Sequence, residues 1–171
     1  MKKDILHHCK QCAICEKFNV ECIKFEKVHF SIPNELMEFI CMDLIGEFYP
    51  PTSRGHRYAL TVMDMLPGFV FCAPLKSKKA EDVIQTYLNE VYYRFGGSRK
   101  ILSDNGTEFK NRMFAEVAKK LGCEVRAYSP PYRPQSNGRI ECFHKFLKAC
   151  MGKHINTNLE WDEVIPMATA A

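Results

Sequence analysis

Ile101-Leu102-Ser103-Asp104-Asn105-Gly106-Thr107-Glu108-Phe109 and, further on, Pro134-Gln135-Ser136-Asn137-Gly138-Arg139-Ile140-Glu141 carry the residues from which the fold is read. In the first stretch an apolar run ends in a carboxylate. Asp104-Asn105-Gly106 then has the composition of a tight turn, with Gly106 free to take positive φ. In the second, chain breakers give way to a helical period. Ile140, Phe143, Leu147, Cys150 and Met151 recur at three- and four-residue steps, which predicts a helix over 137–151 with Glu141 near its start. A carboxylate at a strand end and another near a helix start can meet in space. With a third they form an oxygen-rich cage suited to hard divalent cations. Asp43, inside Phe39-Ile40-Cys41-Met42-Asp43-Leu44-Ile45-Gly46, is the obvious third. A lone carboxylate in an apolar strand is costly to bury unless it is paired or metal-bound. The competing reading is that Asp43 caps or salt-bridges locally.

Outward from these stretches, residues 36–48 read as a buried strand, 58–65 as a second and 69–73 as a third. Pro67-Gly68 turns the chain between the last two. Short connections make the three an antiparallel meander. Asp64 lies beside that turn and is read as a turn carboxylate, outside the site. Residues 77–95 form the clearest helix, with Ile84, Tyr87, Leu88, Val91, Tyr92 and Phe95 along one face and Gly96-Gly97 as its stop. A short strand over 100–103 leads into Asp104. A second helix over 111–121 turns Met113, Phe114, Val117, Ala118 and Leu121 inward, and a fifth strand follows over 123–128. Residues 129–138, with three prolines, are a loop. From Leu159 one more helix begins, with Trp161 and Val164 as packing residues. The order βββαβαβα, with a further α, points to an α/β fold with a mixed central sheet and helices on both faces.

Composition narrows the classes. The 171 residues suit one domain plus a short appendage, and 46% hydrophobic content with 12 Phe is enough for a buried core. The formal net charge of +4 permits a nucleic-acid partner without demanding one. Nine Cys and the start MKKDILHHCK, which lacks an apolar core region, favour a reducing intracellular setting. No run of about 18 apolar residues exists to span a membrane. Cys9, Cys12, Cys15 and Cys22 crowd the first thirty residues with His7, His8 and His29. Cys12 and Cys15 form a CxxC that can present two thiolates to Zn²⁺, but a second clean ligand pair is missing. Incidental thiols on a partly helical leader are the alternative.

The chemistry that three carboxylates support is phosphoryl transfer. Two cations about 3.5–4 Å apart can activate an attacking oxygen and stabilise the leaving one. Such a site on DNA needs positive charge for the phosphate backbone. Across 129–154 the chain carries Arg133, Arg139, Lys145, Lys148 and Lys153 against Glu141 alone. Glu141, Lys145 and Lys148 stand at i, i+4 and i+7 and so share a helix face. A solvated helix face is the bland reading of the same charges.

The segments CMDLIGEF (41–48), ILSDNGTEF (101–109) and SPPYRPQSNGRIECFHKFLK (129–148) together resemble the catalytic core of retroviral and LTR-retrotransposon, gypsy-like, integrases. The order Asp, Asp, Glu agrees. The 36 residues between Asp104 and Glu141 are one more than the family's usual spacing, and the extra residue is most easily placed in the 125–131 region. The resemblance covers residues 36–171. It implies a ribonuclease H-like fold with a mixed five-stranded sheet, and a polynucleotidyl transferase that performs 3′-end processing and strand transfer of element DNA into target DNA. It implies Asp43, Asp104 and Glu141 as ligands of two Mg²⁺ or Mn²⁺ ions. By the same resemblance Lys145 and Lys148 touch the DNA end, and Tyr132, Gln135, Asn137 and Arg139 belong to a DNA-binding active-site loop and the helix start behind it. The implied partners are element-end and target DNA and further copies of the chain, the implied location the nucleus. HHCKQCAICEKFN (7–19) resembles the end of the family's zinc-binding domain, with Cys12 and Cys15 as its last ligands. Residues 1–30 are then a remnant of that domain and linker, and 31–171 a C-terminally truncated catalytic core. Cys142 and His144 depart from the retrotransposon pattern, which usually has Arg and Asn there. Two other functions fit the same residues: a non-catalytic DNA-binding or oligomerisation module derived from a transposable element, and a nuclease of the same fold.

Overall fold

The computed structural model describes residues 2–18, 33–103, 106, 109, 111–127, 138–154, 157 and 159–170. Two short helices, α1 (Lys2–Gln11) and α2 (Ala13–Lys17), precede the sheet. The sheet has five strands: β1 (Phe39–Gly46), β2 (Tyr58–Asp64), β3 (Val70–Leu75), β4 (Lys100–Ser103) and β5 (Glu124–Ala127). Their order is β3-β2-β1-β4-β5. The first three strands are the expected antiparallel meander, and β4 and β5 add to it in parallel. The mixed five-stranded α/β architecture read from the sequence is the observed one.

β1 lies at the centre, and its run Phe39-Ile40-Cys41-Met42 is nearly all apolar because both of its faces are covered. Alternation sorts its side chains. Ile40 and Met42 join Leu60, Val62 and Ile101 in a core beneath α3 (Ala80–Tyr87) and α5 (Arg112–Lys120). Cys41 and Ile45 point the other way, into clusters closed by Ile140 and Leu147 of α6 (Gly138–Lys153) and Ile165 of α7 (Trp161–Thr169). Asp43 is on this second side, beneath α6.

Two inward assignments are corrected. Phe95 is 50% exposed although it continues the stripe of α3. After Tyr87 the helix passes into a π-helical turn, Leu88–Tyr92, before closing as α4 (Tyr93–Phe95). The wider turn rotates all that follows, so Val91 stays buried while Phe95 swings out against Phe71, ring centres 4.6 Å apart. Met113 is 44% exposed. The Asn111 side chain caps α5 by accepting from the Phe114 amide at 2.8 Å, and this phase turns Phe114 and Ala118 to the core.

Asp64 is a turn carboxylate, as expected. It is buried, Oδ2 accepting from the Met37 amide at 2.8 Å and Oδ1 from the Leu66 amide at 2.9 Å. The N-terminal helices rest on the core through Phe18, whose ring lies so close to Gly152 of α6 that a Cβ there would strike it. No helix among the described residues is long and apolar enough to cross a membrane.

Candidate active site

Asp43 sits five residues into β1, opposite Thr61 of β2, which in turn pairs with Cys72 of β3. Three strands thus set Cys72, Thr61 and Asp43 side by side on the face that α6 covers. Asp43 is only partly buried, with 18% of its side chain exposed. Its Oδ1 accepts from the Leu44 amide at 2.8 Å, which fixes the rotation of the carboxylate. This local bond is part of what the bland reading anticipated.

The second oxygen faces α6. His144 Nδ1 stands 3.7 Å from Asp43 Oδ2, and the other ring nitrogen, Nε2, is 3.0 Å from Thr61 Oγ1. The Thr61 hydroxyl is in turn 3.7 Å from Cys72 Sγ. Burial, with Lys148 nearby, pushes the His144 pKa down to about 4, so the imidazole is neutral at pH 7 and its contact with Asp43 is not an ion pair. Burial pushes the Cys72 thiol up to about 11, against a smaller opposing pull from Thr61. It remains a thiol at neutral pH.

Glu141 is exposed in the first turn of α6, one turn before His144 on the same side of the helix. Lys145 and Lys148 are exposed as well. Ile140 and Leu147, both essentially buried, press the neighbouring stripe of α6 onto the sheet. The start of α6 is held by Arg139, whose Nη1 donates to the Met65 carbonyl at 2.7 Å. Its guanidinium also covers Gly68, at φ +77°, where any side chain would collide with it. Arg139 therefore ties α6 to the turn after β2.

β4 ends at Ser103, paired with Met42, the residue before Asp43. Asp104 follows directly in sequence and lies outside the described residues, as do Tyr132, Gln135 and Asn137. Among the described residues no three His, Cys, Asp or Glu side chains cluster as a metal site. Asp43 and Glu141 supply the hard oxygen donors that Mg²⁺ and Mn²⁺ take, so the donor chemistry fits such ions. Cys12 is partly buried between α1 and α2, and the side chain of Cys15 lies outside the described residues.

Sequence reasoning passed over His144 and Thr61 as site residues. A signal was present: His144 is a polar residue at i+3 from Glu141, beside the apolar stripe.

Residues 33–134 match a family model described as integrase core domain. The Gag-Pol polyprotein of avian reticuloendotheliosis virus is 27% identical over 164 residues, covering 92% of this chain and 14% of that polyprotein. The Pol polyprotein of Radiation murine leukemia virus (strain Kaplan) is 31% identical over 120 residues, covering 69% of this chain and 20% of that one. The chain thus spans a fifth or less of these two relatives. Its fold is similar to a chain in the cryoEM structure of the simian T-cell lymphotropic virus intasome in complex with PP2A regulatory subunit B56 gamma. The TM-score is 0.71 at 20% identity, over 99% of this chain and 59% of that one.

Proposed function

The chain belongs to the integrase core domain family, and from that premise we propose that it is a polynucleotidyl transferase core acting in DNA integration, with Asp43, Asp104 and Glu141 holding two divalent cations. The reaction is hydrolysis of a phosphodiester near an element's DNA end, followed by attack of the freed 3′-hydroxyl on target DNA. Bound cations would supply activation of the attacking oxygen and stabilisation of the leaving one.

The observation that carries this reading is the meeting of β1 and α6 at Asp43. A carboxylate on the central strand, partly open to solvent, is faced by the helix that bears Glu141 one turn away. The carboxylates provide fixed negative charge. The Leu44 amide orients one oxygen of Asp43. Lys145 and Lys148, exposed on the helix that carries Glu141, offer positive charge to the phosphates of the DNA end. Arg139, bonded to the Met65 carbonyl, holds the start of α6 against the sheet, so that Glu141 keeps its place.

An oligonucleotide assay tests the proposal. Wild-type protein is given labelled element-end DNA, target DNA and Mn²⁺, beside Asp43→Asn, Asp104→Asn and Glu141→Gln. Strand-transfer product from the wild type and loss of it in all three variants is the expected result. Undiminished product from any one of them removes that residue from the mechanism.

A further inference from the structure

Arg139 and Glu141 both belong to the first turn of α6. The amides of a helix's first turn have no partner within the helix, so this turn is the readiest to fray. A carboxylate carried there keeps a fixed place only if something outside the helix holds the turn. Ile140 does so on one side, buried in the cluster with Cys41 and Met63. Arg139 does so on another, with Nη1 donating to the Met65 carbonyl at 2.7 Å and Nη2 lying against Gly68. The turn that receives the guanidinium is itself braced. The Met65 amide donates to the Phe39 carbonyl at 3.0 Å and the Gly68 amide to the Asp64 carbonyl at 2.9 Å. The buried Asp64 carboxylate accepts from the Leu66 and Met37 amides.

We propose that Arg139 is a positioning residue for Glu141, that a glycine at 68 is the seat it requires, and that the guanidinium serves cation binding rather than DNA phosphates. The proposal rests on the reading of Glu141 as a cation ligand. A guanidinium grips a phosphate with two parallel N–H groups. Both terminal nitrogens of Arg139 are instead engaged at the β2–β3 turn, one on a carbonyl and one over Gly68. A bond from a charged donor to a carbonyl is stronger than a neutral one, which suits it to holding a helix end in place. Gly68 stands at φ +77°, and a Cβ there would fall where Nη2 lies. A side chain at 68 therefore displaces the guanidinium and, through it, the turn of helix that carries Glu141.

Mn²⁺ titrations of the DNA-free protein, followed by the EPR signal of the free ion, read the claim without turnover. The Kd for Mn²⁺ is expected to rise about tenfold in Arg139→Ala. It should also rise in Gly68→Ala, a second variant that leaves Arg139 itself intact. The two losses should not add, because Gly68→Ala has no guanidinium left to displace once Arg139→Ala is in place. Binding of DNA-end oligonucleotides in EDTA should keep the wild-type salt slope in Arg139→Ala, whereas a lost phosphate contact lowers it by roughly one unit. Wild-type Mn²⁺ affinity in Arg139→Ala overturns the proposal. So does a salt slope lowered by that unit, or a double variant whose losses add in full. Glu141→Gln separates the two levels. Wild-type Mn²⁺ affinity in that variant overturns the reading of Glu141 as a ligand. Weakened binding there, beside wild-type affinity in Arg139→Ala, overturns only the role given to Arg139.

Discussion

Arg54 grips Asp162 from a position 108 residues away, donating from Nη2 to Oδ1 at 2.7 Å and from Nε to Oδ2 at 3.0 Å. His56 Nδ1 meets the same Oδ2 at 2.6 Å. Ser53 adds two bonds to Glu160, which also closes a capping box with Glu163 at the start of α7. The β1–β2 connection is thereby clamped to α7, and α7 packs on α6 through the cluster that includes Leu147 and Ile165. Burial pushes the Asp162 carboxyl up, but Arg54 and His56 together outweigh it and hold its pKa below the ordinary value. A carboxyl with a lowered folded-state pKa stabilises the protein fully above its unfolded pKa, near 3.8, and loses that contribution as pH falls through the folded value. Asp162→Asn is expected to lower stability at pH 7 and to flatten the loss of stability below pH 4. Urea midpoints of both proteins from pH 7 down to pH 3 check this. Parallel pH profiles would show that the clamp does not act through the Asp162 charge.

The seating of α6 rests on apolar burial. Leu147 is fully buried and Ile140 nearly so. Truncating Leu147 to Ala should cost about 2–5 kcal/mol, since the rigid sheet below cannot close the cavity. Equilibrium unfolding in urea measures it. A loss below about 1 kcal/mol would mean that α6 is held by its ends rather than by its middle.

Lys145 and Lys148 test the DNA face. Both are exposed on α6, so reversing their charge leaves the core untouched. Lys145→Glu and Lys148→Glu should each weaken DNA binding and reduce the log–log salt slope by roughly one unit. Fluorescence anisotropy across a salt series gives the slope. The wild-type slope in both variants would put the DNA on another surface.

The carboxylates make a prediction about stability as well as chemistry. If Asp43, Asp104 and Glu141 share cations, their mutual repulsion is unrelieved when no cation is bound. Asp43→Asn, Asp104→Asn and Glu141→Gln should then melt no lower than the wild type in EDTA. Mn²⁺ should raise the wild-type midpoint and raise those of the variants less. A set of variants that all melt well below the wild type in EDTA, with no protein shifted by Mn²⁺, would identify the trio as structural.

Much of this was legible in the chain because it depends on near neighbours. The short strand Lys100–Ser103 has its expected limits, since an apolar run ended by Asp104-Asn105-Gly106 allows little else. The meander follows from three apolar runs with connections too short for crossovers. Phe95 and Met113 face outward although a regular 3.6-residue period turns them inward, because a π-helical turn precedes Phe95 and the Asn111 cap sets the start of α5.

Asp43 could be chosen from sequence because a carboxylate in an apolar strand is locally anomalous, and Glu141 because it stands near a helix start within a segment that resembles the family's motif. His144 could be seen as a departure from a pattern, but not as the neighbour of Asp43. That contact joins residues from β1 and α6, and nothing in either segment alone encodes the distance between them. The same holds for Arg54 and Asp162. Local propensity and periodicity thus determined which segments became strands and helices, and three spaced motifs carried the family resemblance. The packing of α6 and α7 across one face of the sheet decided which side chains share a site, because burial drives the elements together while hydrogen bonds between distant residues set where they stop.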